Sequence, residues 1–139
     1  MRHEHRNIQH WIKRKYATRF RVEVEVDKTN YLPDRESHVY QPDVILRSDA
    51  NEVLYIIEVE NDPVRKALVG ACILADYSIK ALRQQAKPIL IFIVYSEEGI
   101  RQMGNFRDKL EIAKEYCKDL SDVRIYTEKE FKVLDLDGS

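Results

Sequence analysis

The chain has 139 residues, 44% of them apolar and 34% charged, with a net charge of −1 at pH 7. That length fits one domain with one core, so residues 1–139 are read as a single domain of a globular chain with a densely charged surface. The near-zero net charge excludes a global pull toward nucleic acid or an anionic membrane, so any basic binding surface has to be local.

The longest apolar run, Pro88 to Tyr95, is too short to span a bilayer, which predicts no membrane partner. The N-terminus is charged from Arg2 onward and has no apolar h-region, which reads as a cytoplasmic chain without a signal peptide. Cys72 and Cys117 lie far apart within helical patterns, the distribution of packing cysteines rather than of a disulfide or a metal pair.

In chain order, Ile8, Trp11, Ile12 and Tyr16 recur at helical spacing and predict a helix over 4–18. Phe20, Val22, Val24 and Val26 alternate with Arg21, Glu23 and Glu25, the pattern of a half-buried strand. A polar loop over 27–37 leads to a second strand over 38–46, in which Pro42 implies an edge, a bulge or a late start. After a turn at 47–51, the third strand covers 52–60. Its centre, Val53 to Ile57, is apolar on both faces. Asp62 is placed to cap, and Pro63 to occupy the first position of, a helix running to about Arg83, with Val64, Ala67, Leu68, Ala71, Leu74, Ala75 and Leu82 inside. A buried strand over 88–95, a helix over 98–116 and a short strand over 123–126 follow. Thr127 and Glu130 then have the spacing of a capping box, and the tail after Leu136 is expected to fray. The order αβββαβαβ implies an α/β fold with a mixed central sheet flanked by helices.

One constellation carries a stated chemistry. Asp43 follows Pro42 in the second strand, and Glu58 and Glu60 end the third. Residues two apart on a strand share a face, and pairing of the two strands would set Asp43 about 5 Å from them. Three carboxylates held that close repel one another unless a cation intervenes, and Mg²⁺ or Mn²⁺ is the natural oxygen-seeking partner. The bland alternative is a solvated strand face. Val22-Glu23-Val24-Glu25-Val26 shows the same alternation with no chemistry attached. Glu58 and Glu60 differ because they close a strand that is apolar on both faces, just before a helix, where sites of α/β sheets form.

Gln41-Pro42-Asp43-Val44-Ile45-Leu46 and Tyr55-Ile56-Ile57-Glu58-Val59-Glu60, in the order αβββαβ, resemble the PD-(D/E)XK nuclease superfamily. The resemblance covers most of the chain up to Tyr95. It implies a restriction-endonuclease-like core and a metal-dependent endonuclease acting on nucleic-acid phosphodiesters, with DNA the expected substrate class and Asp43 and Glu58 as metal ligands. The superfamily usually has Lys where this chain has Glu60. That leaves Glu60 as a further ligand or water-orienting group, with Lys66 or Lys28 to supply a cation from elsewhere. Glu4 or Gln9 would match an auxiliary position on the first helix. A homodimer is expected by analogy with enzymes that cut both strands. A catalytically inactive module of the same fold, binding nucleic acid or a protein partner, is the alternative.

The first 21 residues are rich in cations, and Arg6, Lys13, Arg14 and Lys15, extended by Arg65, form the expected nucleic-acid surface. A solvated basic helix face is the competing reading. With four glycines in the chain, no phosphate-cradling Gly motif, no Gly-x-Ser-x-Gly elbow and no zinc spacing is present.

Overall fold

The computed structural model describes residues 2–61 and 63–137. Among them are five α-helices, one 3-10 helix and five strands. α1 spans Arg2–Tyr16, β1 Arg21–Val24, β2 Val44–Arg47, β3 Val53–Glu60, α2 Arg65–Leu82 and β4 Ile89–Val94; α3 Glu97–Arg101, α4 Met103–Tyr116, β5 Asp122–Thr127 and α5 Glu128–Lys132 complete the order. One sheet runs β1-β2-β3-β4-β5. β1, β2 and β3 pair antiparallel, whereas β4 and β5 continue parallel to β3. The switch follows from the connections, because parallel neighbours need a crossover and α2 and the α3–α4 pair supply one each. The fold is α/β with a mixed five-stranded sheet flanked by helices, as the element order predicts.

Apolar side chains pack on both sheet faces. Ile45, Ile56, Leu90 and Phe92 meet Leu68, Cys72, Ile79, Phe106 and Leu110 of α2 and α4. Val44, Ile57, Ile91 and Ile93 meet Ile8, Ile12 and Tyr16 of α1, with Phe131 of α5. Each large side chain fully buried this way contributes about 1.5–3 kcal/mol, which is why β3 and β4 read as continuous apolar runs. Cys72 and Cys117 are both free and buried within the first cluster, and Cys117 Sγ points at the Cys72 carbonyl from 3.6 Å. Among the described residues, no helix is long and apolar enough to cross a membrane.

Several element boundaries are corrected by side-chain chemistry. The second strand begins at Val44 rather than His38. Pro42 has no N–H, and its carbonyl accepts from Asn30 Nδ2 at 2.7 Å, so residues 38–43 cannot continue the ladder. Tyr40 instead bridges Leu32 within the loop. Arg47 belongs to β2, not to a turn, because its Nε donates to Glu23 Oε1 across β1 at 2.7 Å. That ion pair also gives Glu23 a structural role. β1 stops at Val24: residues 25–27 turn into a 3-10 helix, Lys28 adopts φ 55°, and Val26 is 68% exposed instead of facing the core.

α2 starts at Arg65, so Pro63 lies before its first turn, and Asp62 is outside the described residues. Its buried stripe is Leu68, Ala71, Cys72, Ala75, Ser78 and Ile79, while Val64, Ala67 and Leu74 are exposed. The helix expected over 98–116 is two, α3 and α4, separated at Gln102; Ile100 is exposed. The capping box at Thr127 and Glu130 starts α5 as expected. The tail is tied down at least to Asp137, whose carbonyl accepts from Tyr55 Oη at 3.0 Å, and Leu136 is buried.

Gly99 locks α3 onto the end of β4. A Cβ there would sit 2.5 Å from Val94 Cγ1 and 2.8 Å from Ser96 Oγ, the atom that caps the helix. Gly99→Ala is therefore expected to lower stability by about 1–3 kcal/mol, read as a lower urea midpoint with unchanged slope.

Candidate functional site

The end of the β2–β3 ladder is where the candidate carboxylates meet. Regular pairing stops at Val44 opposite Ile57. Beyond it Asp43 takes over the ladder with its own groups. Its backbone N–H donates to Glu58 Oε1 at 3.0 Å, and its Oδ2 accepts from the Val59 N–H at 2.7 Å. The diverted Pro42 carbonyl leaves that strand amide for a side chain to satisfy. Asp43 and Glu58 are thereby fixed opposite one another, as the sequence pattern predicts.

Glu58 shares the strand face of Ile56, which packs with α2 and α4, and Tyr40 of the long loop reaches it. Tyr40, buried against Leu32 and Ile45, donates its hydroxyl to Glu58 Oε2 at 2.8 Å. Burial and then the charge of Asp43 hold the Glu58 carboxyl well above the usual carboxylate range, against the Tyr40 hydrogen bond, which favours the ionised form. Burial, followed by the Glu58 charge, likewise raises the Tyr40 phenol.

Glu60 follows on the same strand face at the C-terminal end of β3. Burial first and Asp43 second push its pKa up to about 7, with His5 pulling the other way. His5 comes from α1, its Nε2 lying 3.0 Å from Asp43 Oδ1. The contact is an ion pair when the imidazole is protonated. It is still the leading reason that the imidazole is raised above its ordinary value, against burial. Tyr95, just after β4, completes the neighbourhood: burial, then the charges of Glu4, Asp43, Glu60 and Glu128, raise its phenol.

Asp43, Glu58 and Glu60 thus form one electrostatic cluster. They do not form a ready cage: among the described residues no three His, Cys, Asp or Glu side chains are arranged around one ion. Lys66 sits exposed in the first turn of α2, and Lys28 is exposed after the 3-10 turn. The charges acting on Glu60 are those of Asp43 and His5. The basic side chain that the fold brings to the carboxylates is a histidine. Its signal was in the spacing, because His5, Gln9, Ile12 and Tyr16 recur every three or four residues along the buried stripe of α1. Of the two auxiliary candidates on α1, Glu4 is exposed and Gln9 is buried, its Oε1 accepting from the Glu25 N–H at 3.4 Å.

The expected basic surface is partly spent inside the molecule. Lys13 pairs with Asp27 at 3.1 Å. Lys15 donates to the Leu134 carbonyl and lies 5.0 Å from the centre of the Trp11 ring. Both help to hold neighbouring segments against α1. Arg6, Arg14 and Arg65 are exposed and make no ion pair among the described residues.

The raised Glu60 has a consequence for stability. A carboxyl whose folded pKa exceeds its unfolded value leaves the folded state holding the extra proton, so stability falls as pH rises from about 4.5 to about 7. Glu60→Gln removes that fall. At pH 8 the variant should be more stable than wild type by up to about 3 kcal/mol, less for the part of the carboxyl left in solvent. The difference should vanish near pH 4.5. Thermal melts of both proteins across this range check it. Compared with known proteins, the chain matches no family model, no curated protein and no solved structure.

Proposed function

We propose that the protein is a metal-dependent nuclease of the PD-(D/E)XK type that hydrolyses nucleic-acid phosphodiesters, DNA being the first substrate to test. The observation that carries this reading is the fixed pairing of Asp43 with Glu58 at the end of the β2–β3 ladder, with Glu60 two residues further along the same strand face. A fold with no catalytic use for these groups has little reason to draw Glu58 and Glu60 partly out of solvent beside Asp43, because a carboxylate withdrawn from water costs stability when ionised.

The donors fit Mg²⁺ or Mn²⁺ by their chemistry. They are hard carboxylate oxygens, and Mg²⁺ is commonly held by one or two carboxylates, several waters and the substrate phosphate rather than by a full protein cage. Asp43 and Glu58 would hold the ion, with Glu60 reaching it directly or through water. When bound there, it supplies positive charge beside the scissile phosphate and eases deprotonation of water.

The chain's own groups do the rest. Tyr40 orients Glu58 through its hydroxyl, and His5 offsets the charge of Asp43. Glu60 stands where the superfamily's Lys would and accepts a proton from the attacking water. Lys66, exposed at the start of α2, is left for a substrate phosphate. A homodimer belongs to the same reading, since one site per subunit would serve both strands; sedimentation of the intact chain reads it.

A second reading has its own support. All four oxygens of Asp43 and Glu58 already face a protein partner: His5 and the Val59 amide for Asp43, the Asp43 amide and Tyr40 for Glu58. Such satisfaction suits a catalytically inactive module that uses the cluster as structure and binds nucleic acid or a protein.

Cleavage of duplex, branched and single-stranded DNA and RNA separates the two. Wild type with Mg²⁺ or Mn²⁺ should cut at least one substrate, EDTA should stop it, and Asp43→Ala should abolish it. Tyr40→Phe, which removes only the hydrogen bond that orients Glu58, should slow cutting by roughly 10–100-fold. No cutting with any metal would favour the binding module, and cutting that survives Asp43→Ala would place catalysis outside this cluster.

A further inference from the structure

The carboxylate cluster has a neighbour across one strand. Val94, the last residue of β4, pairs with Glu60 of β3 on one flank and with Thr127 of β5 on the other. On the Thr127 side opens a cavity of about 510 Å³, lined by Val94, Tyr95, Ile100, Thr127, Glu128, Lys129 and Lys132. Adjacent strands are about 4.8 Å apart, so Glu60 and Thr127 stand roughly 10 Å from each other, a span that one nucleotide bridges. Tyr95 belongs to both places. It lines the cavity, and burial, then the charges of Glu4, Asp43, Glu60 and Glu128, raise its phenol.

The lining divides into an apolar slot and a charged rim. Val94 and Ile100 are aliphatic, and Tyr95 adds a half-buried aromatic ring. On the rim, Lys132 is bound to Glu128 at 2.7 Å and lies 5.3 Å from the centre of the Trp11 ring, which neutralises the cavity's one carboxylate. Thr127 is also occupied, since its Oγ1 accepts from the Glu130 N–H. Lys129 is exposed and makes no ion pair among the described residues. An aliphatic slot, an aromatic ring half-exposed where it packs against the second core cluster, and one ammonium without an ion pair match a nucleobase with its own phosphate. A base inside a duplex is stacked on both faces and paired at its edge, so it cannot enter such a slot unless it leaves the helix.

We infer that this cavity receives an unpaired base next to the scissile phosphate, with Tyr95 stacking on it and Lys129 meeting its phosphate. The preferred substrate is then single-stranded nucleic acid, or a duplex end or junction that frays by one nucleotide. The inference rests on the nuclease reading for the place of the scissile phosphate, but the cavity's preference for an unpaired base can be measured without cutting.

The test is equilibrium binding of a fluorescent single-stranded 12-nucleotide DNA and of its blunt duplex, in EDTA, to the full chain and three variants. Wild type should bind the single strand more tightly than the duplex. Tyr95→Ala should weaken single-strand binding roughly tenfold, the size of one lost stack, while Tyr95→Phe, which keeps the ring, should bind as wild type does. Lys129→Ala should reduce the slope of log affinity against log salt by about 0.7, one phosphate contact on a single strand. Circular dichroism melts check that each variant is folded. Equal affinity for strand and duplex, unchanged binding by a folded Tyr95→Ala, or no binding of either DNA by wild type overturns the inference. Tyr95-dependent binding by a protein that cuts nothing upholds the cavity and sinks the nuclease reading. Asp43-dependent cutting with no Tyr95 effect does the reverse.

Discussion

The arrangement around the candidate site depends on one substitution of side chain for backbone. At the end of the β2–β3 ladder the backbone can no longer pair, because Pro42 lacks an N–H and its carbonyl is taken by Asn30. Asp43 completes the ladder instead, donating through its amide to Glu58 and accepting through its carboxylate from Val59. A carboxylate that doubles as a ladder acceptor cannot move without exposing a strand amide. Its position is set by the same force that pairs the strands, and Glu58 is set by it in turn.

Around that joint the molecule places charge where burial disfavours it. Glu58 accepts from Tyr40, Glu60 is half-buried, and Asp43 acts on both, with the His5 imidazole 3.0 Å from its Oδ1. Elsewhere the sheet's acids are managed differently. Glu23 meets Arg47, and Asp122 meets Lys114 and Arg124. The contrast between acids matched to Lys or Arg and acids met only by amides, a phenol and an imidazole distinguishes a candidate site from an ordinary charged surface.

The site also lies where the sheet changes character. β3 is antiparallel to β2 and parallel to β4, so Glu58 and Glu60 end a strand whose two neighbours leave it in different directions. β2 arrives from a long loop, which brings Tyr40 and Asp43. β4 runs on to Tyr95 and α3, held close by Gly99. Loop, strand end and crossover meet at one edge, and the cavity beside Tyr95 opens from that edge.

Much of this was legible in the sequence because it depends on local periodicity. The apolar runs of β3 and β4 announce strands buried on both faces, the Thr127–Glu130 spacing announces α5, and Glu58 and Glu60 are two apart on a strand and so share a face. Proximity of Asp43 to Glu58 needed only that the two strands pair. What the sequence alone could not give was decided by contacts between distant segments. The Asn30 bond to Pro42 set where β2 begins, and the Arg47 bond to Glu23 set where it ends. The docking of α1 on the sheet brought His5 to Asp43 and turned Lys13 and Lys15 toward other segments. Periodicity reports which face of an element is buried; which partner waits on that face is a property of the folded chain, because it depends on groups tens of residues away.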